Sequence, residues 1–295
     1  MEPIIIVHGG AGPWNLEQPL LDRAVADCRA AAATGQDLLL SGATALDAVE
    51  AAVRVLEDSP VLDAGRGSYL NQAGEIELDA MIMDGATLQL GAIASVQHVL
   101  HPISLARRVM ADSDHNLMVG AGAESFADDI GFPRCRFEDL LVSDPDLQAH
   151  IGAGADQESY REGDTVGAVA LDTMGNVASA TSTGGTKGKH PGRVGDSPLV
   201  GSGGYADNWS AAVGATGEGE ALMRVVISRR VCDYVAGGLS AQNACEAAIQ
   251  LLEERTQGHG GLIAVDIRGR VGIAFNTGGM PHAYAIGRQP LVSGR

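Results

Sequence analysis

Paired apolar runs around tight turns recur in both halves of the chain and limit its fold more than any other feature. "EIELDAMIM" and "ATLQLGAIA" flank Asp84-Gly85, a strong hairpin signal. Strands over 166–172 and 177–182 flank Met174-Gly175-Asn176, and "GLIAVDI" and "RVGIAFN" flank Arg268-Gly269. Pro3 to Val7 reads as a further buried strand, running into the glycine turn His8-Gly9-Gly10-Ala11-Gly12. Helical patterns lie between the strands. One runs from Leu20 to Ala33 and stops before Gly35. A second, Thr44 to Glu57, opens with a threonine N-cap, has Asp47 three residues on, and ends before Pro60. Others cover 102–110, 123–130, 218–236 and 240–254. Strand pairs in both halves with helices between them predict an α+β layered domain, antiparallel sheets face to face and helices outside.

Bulk properties exclude several kinds of function. With 295 residues, 45% of them hydrophobic, the chain can bury a sizeable core as one large domain or two small ones. A net charge of −17 repels phosphate backbones and anionic lipid, which argues against nucleic-acid and membrane partners and leaves a small amphoteric substrate. "MEPIIIVHGGAG" has no basic flank and only a short apolar run; it reads as neither a signal peptide nor a span, and the expectation is a cytoplasmic protein. Cys28, Cys135, Cys232 and Cys245 form no CxxC pair, against both structural zinc and a disulfide framework. His98 and His101 have metal-ligand spacing but no third ligand at a suitable distance. "VHGGAG" lacks the phosphate-loop patterns, and no GxSxG elbow is present.

Hydroxyls are the remaining lead. Thr165 stands between the polar stretch 144–164 and an apolar strand, and Thr181 and Thr183 return on the next strand. A threonine hydroxyl is a weak nucleophile unless a base lies beside it. As the first residue of a chain it carries its own base, because an α-amine titrates near ~7.7–8. The 144–164 segment is polar and without a hydrophobic period, as a cleavable linker should be. The competing reading is a β-branched residue that merely opens a strand. Further on, "HPGRVGDSP" sets Arg193 and Asp196 three apart; they could clamp the carboxylate and ammonium of an amino-acid head group, or form a local surface ion pair. In "GATGEGEALMR", Thr216 and Gly217 precede a helix, where a hydroxyl and backbone N–H groups make oxyanion donors, or simply a capped helix entry.

Taken in order, "HGGAG", "LDAGRGSYLN", "ELDAMIMDG", "TVGAVALDTMGN", "ATSTGG", "PGRVGDSP", "ATGEGE" and "FNTGGM" resemble the plant-type L-asparaginase and isoaspartyl peptidase family, with glycosylasparaginase as a cousin. The resemblance runs through nearly the whole chain. It implies a single N-terminal-nucleophile hydrolase domain over 1–295, a four-layered αββα sandwich, and self-cleavage between Asp164 and Thr165 into an α chain 1–164 and a β chain 165–295. It also implies a dimer of such two-chain units. By the same resemblance Thr165 is the nucleophile, Thr183 helps to hold it, and Thr216 and Gly217 form the oxyanion hole. Arg193 binds the substrate α-carboxylate and Asp196 its α-ammonium, with Val194, Gly195, Glu218 and Gly219 lining the pocket. No redox or organic cofactor is expected, and a structural sodium ion is implied on the backbone carbonyls of Glu57, Ser59, Leu62, Ala64 and Arg66. Two positions depart from the asparaginase pattern: Asp164 stands where glycine is usual, as in glycosylasparaginases, and Asp63 stands where asparagine is usual. The substrate expected is L-asparagine or a β-linked aspartyl peptide. The alternatives are a glycosylated asparagine, or a non-catalytic amino-acid binder that keeps the clamp and never cleaves. A phosphate-binding glycine loop is disfavoured by charge and by the missing lysine.

Overall fold

The computed structural model describes residues 1–14, 18–142 and 165–295; the linker segment and Asp164 lie outside them. Twelve strands are described: β1 (Ile4–His8), β2 (Leu78–Asp84), β3 (Leu90–Val96), β4 (Leu117–Val119), β5 (Val166–Leu171), β6 (Val177–Thr183), β7 (Gly204–Ala206), β8 (Ala211–Gly217), β9 (Gly260–Asp266), β10 (Val271–Phe275), β11 (His282–Ile286) and β12 (Val292–Gly294). The helices are α1 (Gln18–Leu40), α2 (Ala45–Glu57), α3 (Pro102–Asp112), α4 (Gly120–Asp129), α5 (Phe137–Leu140), α6 (Gly219–Val225), α7 (Ile227–Ala236) and α8 (Ala241–Thr256).

The apolar runs pair as expected, but into two unequal sheets. One has the order β12-β11-β1-β5-β6-β2-β3-β4 and the other β10-β9-β8-β7. Because successive side chains point to opposite faces, a run apolar at every position must be buried on both. In β5, Val166, Ala168 and Ala170 pack under the helices while Val169 and Leu171 meet the second sheet. Ile4, Ile6, Val177, Ile263 and Val265 fill the space between the sheets. Helices α1, α2 and α3 cover the larger sheet, and α7 and α8 the smaller. The result is an α+β fold in four layers, helices outside and two sheets within.

Three elements differ from expectation for local reasons. Helix α1 runs through Gly35 to Leu40. A Cβ at Gly35 would lie 2.8 Å from Cγ1 of Ile5, so this glycine permits close packing on β1 rather than ending the helix. The stop comes at Gly42, with φ +94°, whose N–H returns to the Leu39 carbonyl. The long helix expected over 218–236 is broken at Val226, which adopts a left-handed conformation at φ 51° and ψ 55°. There the Gly201 carbonyl accepts the Arg229 N–H and Ser228 Oγ donates to the Ser202 carbonyl, so an adjoining loop caps a fresh helix start. The glycine-rich stretch after Asp196 contains β7 and β8. Helix α2 is as expected: Thr44 Oγ1 accepts from the Asp47 N–H at 3.1 Å, and Asp47 answers to the Thr44 backbone in a capping box.

Candidate active site

Antiparallel pairing gathers sequence-distant candidates at one end of the sandwich. Val166 lies opposite Ser182, so Thr165 and Thr183 are neighbours one position beyond, and Thr183 lies opposite Asp79. His8, the last residue of β1, lies opposite Gly167, and from the second sheet β8 ends in Thr216 and Gly217. By the alternation of β5 and β6, Thr165, Thr181 and Thr183 face the second sheet rather than the helices.

Thr165 is 3% exposed, and its Oγ1 lies 2.9 Å from Ser197 Oγ. Ser197 is held in turn, since Thr181 Oγ1 donates to its carbonyl at 2.7 Å. Sequence reasoning singled out neither contact, although Ser197 follows Asp196 directly. Thr183 is adjacent, and its Oγ1 accepts the Gly185 N–H at 2.9 Å. Asp63 lies against the same turn. Its carbonyl accepts the Gly184 N–H, its Oδ1 accepts the Tyr69 N–H, both at 2.9 Å, and a Cβ on Gly184 would strike that carboxylate. The departure at Asp63 therefore borders the site. His8 is fully buried with its ring against Gly167; burial drives its pKa down to about 3, while the Thr165 backbone pulls the other way, so it is a neutral imidazole.

The glycine-rich motifs close around these hydroxyls. Thr216 Oγ1 accepts the Ala11 N–H of "HGGAG" at 3.1 Å, and Gly12 pairs with Gly279 of "FNTGGM". Gly217 has φ +130°, and a Cβ there would lie 2.5 Å from the Gly260 Cα, so no side chain is admitted beside Thr216. Across the end of the site a Cβ on Gly219 would meet Asp196 Oδ1 at 2.9 Å and Arg193 Nη2 at 3.2 Å. Its absence leaves a space bordered by one anion and one cation.

Those two charges are not paired as the surface reading required. Arg193 donates to Glu220 through Nε at 2.9 Å and Nη2 at 2.7 Å. Asp196 is 2% exposed, and among the described residues its Oδ2 has no hydrogen-bond partner. Burial pushes the Asp196 carboxyl up to about 7, against its own backbone amide and the Arg193 charge. A buried carboxyl short of a partner, beside a guanidinium, has the chemistry to receive an ammonium that carries a carboxylate. An open cleft of about 440 Å³ runs outward from Arg193 along Lys187, Lys189, Glu218, Glu220 and Arg224; Thr165 does not line it. Val194 is half-buried and Gly195 buried behind Arg193, and Glu218 lies 2.9 Å from His259 Nδ1 at the rim.

The remaining candidates separate from the site. His101 reaches Glu57 Oε2 at 3.3 Å and Asp58 at 3.7 Å, which accounts for its position without a metal. No His, Cys, Asp and Glu grouping suited to a metal ion occurs among the described residues. In the 57–66 loop the carbonyls of Glu57 and Leu62 accept the Arg66 and Ala64 N–H groups at 2.8 and 3.0 Å. Glu57, Ser59, Leu62 and Ala64 are buried there, while Arg66 is exposed. No described helix is long and apolar enough to cross a membrane.

Comparisons with known proteins agree with this convergence. The family model described as Asparaginase matches residues 1–291. The chain is 44% identical to the isoaspartyl peptidase of Escherichia coli strain K12, covering 99% of this chain and 95% of that one. It is 43% identical to the isoaspartyl peptidase/L-asparaginase of Xenopus laevis, over 96% and 92% of the two chains. With its Homo sapiens counterpart the identity is 41%, over 97% and 94%. The clustered threonines, the charged space at Gly219 and a match along almost the full length lead to one conclusion: this chain belongs to the asparaginase family and is a hydrolase of the asparaginase type.

Proposed function

We propose that the protein hydrolyses β-aspartyl amide bonds, in isoaspartyl peptides and L-asparagine, through a Thr165 set free as an N-terminus by cleavage after Asp164. The observation that carries this reading is the buried Thr165 hydroxyl, bonded to Ser197 beside Thr183, with Asp196 and Arg193 around the space at Gly219. Arg193 and Asp196 take the α-carboxylate and α-ammonium of the aspartyl head group, with Val194, Gly195, Glu218 and Gly219 around them. Its β-carbonyl is then presented to Thr165. The Oγ–H proton passes to the Thr165 α-amine as Oγ attacks, and the carbonyl oxygen gains its charge toward Thr216 and the Gly217 N–H. The α-amine returns the proton to the leaving ammonia or amine, and water repeats the sequence on the acyl-enzyme to release aspartate. Thr183 holds the turn at Gly185, and Ser197 orients the nucleophile. Relatives named isoaspartyl peptidase and isoaspartyl peptidase/L-asparaginase support the substrate class.

A structural sodium ion belongs to the same proposal. Neutral carbonyl oxygens suit a hard cation, and the carbonyls of Glu57, Ser59, Leu62, Ala64 and Arg66 would hold it. The oxygens of Glu57 and Leu62 already accept one N–H each and keep a second lone pair. We likewise propose that the two-chain units pair as dimers within the cytoplasm. The decisive experiment is denaturing mass measurement after incubation near neutral pH, with turnover of β-aspartyl-leucine. Two fragments are expected, one beginning at Thr165, whereas Thr165→Ala stays full length and inactive. Normal turnover by that variant refutes the assignment.

A further inference from the structure

Two acids of the "ELDAMIMDG" stretch have no part in the mechanism above, yet both are buried against the loop that carries Arg193. Glu77, just before β2, and Asp79, within it, are two residues apart and project on one side, where Lys189 and Gly192 of the Arg193 loop come back against Glu77. Glu77 makes four kinds of contact there. Its carboxylate accepts the Gly192 N–H at 2.9 and 3.1 Å, Ser95 Oγ at 2.6 Å and Asn71 Nδ2 at 3.0 Å. Its backbone carbonyl accepts Lys189 Nζ at 2.9 Å. The Gln72 N–H adds a bond to the Lys189 carbonyl, also at 2.9 Å. The Glu77 side chain thus grips the loop at the residue immediately before Arg193, and its backbone carbonyl holds Lys189, three residues before that.

The electrostatics fit a device built for holding cations. Burial works against the Glu77 charge, but Ser95, Asn71, the Gly192 N–H and Lys189 outweigh it and hold the carboxyl below its ordinary value. Asp79 is 0% exposed; its Oδ1 accepts the Ser95 N–H at 2.7 Å, and its Oδ2 has no hydrogen-bond partner among the described residues. Burial pushes its carboxyl up to about 6 against the charges of Lys189 and Arg193, with Glu77 adding to the rise, so above that pH it is the ionised form that faces the two cations. Among the described residues the Arg193 guanidinium is hydrogen-bonded to Glu220, whose side chain is 61% exposed and so a poor fixed reference.

We propose that Glu77 is the positioning residue of the head-group clamp, fixing the 189–193 backbone so that the Arg193 guanidinium meets the substrate α-carboxylate, with Asp79 beneath it as a buried counter-charge. This rests on the reading of Arg193 and Asp196 as that clamp. Asn71 cannot turn its amide to accommodate a change at Glu77, because its Oδ1 already accepts the Ala73 and Glu75 N–H groups at 2.8 and 3.0 Å. Glutamine at position 77 still offers one oxygen to Gly192 and Asn71 and an amide to the Ser95 hydroxyl, whereas alanine keeps only the backbone carbonyl that accepts Lys189 Nζ.

The test uses the matured enzyme with β-aspartyl-leucine as substrate and L-aspartate as a binding probe in calorimetry. Glu77→Ala is expected to raise KM about tenfold, the order of magnitude for losing charge-assisted anchoring, and to weaken L-aspartate by the same factor. Its kcat should stay within about twofold, since Thr165 is untouched. Glu77→Gln is expected to recover most of the affinity, and both variants should still yield the fragment beginning at Thr165. Unchanged KM and L-aspartate affinity in Glu77→Ala, or a loss confined to kcat, overturns the proposal. If the alanine variant does not accumulate, Asn71→Ala removes one donor to Glu77; a smaller KM rise supports the proposal and an unchanged KM overturns it. Arg193→Ala separates the two layers of inference. If it leaves KM unchanged, the clamp reading fails; if it raises KM while Glu77→Ala does not, only the positioning role fails.

Discussion

At the scale of single residues, the informative group is Asp196. Its unliganded carboxyl, pushed up to about 7 by burial, is largely protonated at pH 6, and an ammonium binds only the ionised form. L-aspartate affinity should therefore rise about tenfold per pH unit up to about 7 and level off above it. Calorimetry across pH 5 to 8 checks this, and Asp196→Asn should weaken binding and flatten the profile. A profile unchanged in that variant removes Asp196 from the clamp. The sign for folding runs the other way. A carboxyl whose folded pKa is raised contributes stability below its unfolded value near ~3.9, lost as pH climbs through about 7. Asp196→Asn should accordingly gain Tm relative to the parent on going from pH 4 to pH 8.

Many of the polar residues that the structure gathers at this end of the sandwich were legible, because Thr165, Arg193, Asp196 and Thr216 are chemical types set among glycines where packing alone does not need them. Ser197 was not. A serine between aspartate and proline reads as turn chemistry, and only strand pairing brings its hydroxyl to Thr165. Glu77 was hidden for a related reason, since alternation suggests that a strand acid faces water, and here the 189–193 loop covers it.

Elements follow the sequence where apolar runs are long and their turns explicit, as in the hairpins β2–β3, β5–β6 and β9–β10. They depart from it where small residues carry the fold. Strand β8, "AAVGATG", is buried throughout but has neither a period nor β-branched enrichment to announce it. The continuous pattern over 218–236 likewise conceals the break at Val226. A β-branched residue in the left-handed region bears a cost of about 1–2 kcal/mol, and Val226 is 45% exposed, so little packing offsets it. Val226→Asn, which keeps a residue tolerant of that conformation, should stabilise the fold by about 1 kcal/mol. Urea unfolding monitored by circular dichroism measures it. A loss of stability would mean that Val226 Cγ1, packed near Gly201, matters more than the backbone strain.

For the whole molecule, the topology decides what cleavage before Thr165 can and cannot do. Strand β1, from the first 164 residues, lies between β5 and β11, both from the remainder, and is antiparallel to each. Strand β2 pairs with β6 across the same divide, and helix α2 packs on β5 and β6. Ile4 and Ile6 are buried against Val169, Leu171, Ile263 and Val265 between the sheets. The second product keeps the smaller sheet and the core beneath α7 and α8, but the larger sheet and the packing between the sheets are built from both products, so separating them requires breaking backbone ladders and exposing apolar surface that only the partner covers. The two fragments should co-elute in native buffer at every dilution, and in urea they should part only where the fold itself is lost. The two tryptophans make this measurable from one sample: Trp14, 9% exposed, lies in the first fragment, and Trp209, 88% exposed, in the second. Trp14 fluorescence, far-ultraviolet dichroism and the elution of free fragments should trace one coincident transition. Fragments that part while dichroism keeps its native value would refute the interleaved sheet, and with it the account of how one strand order can survive the proposed cut before Thr165.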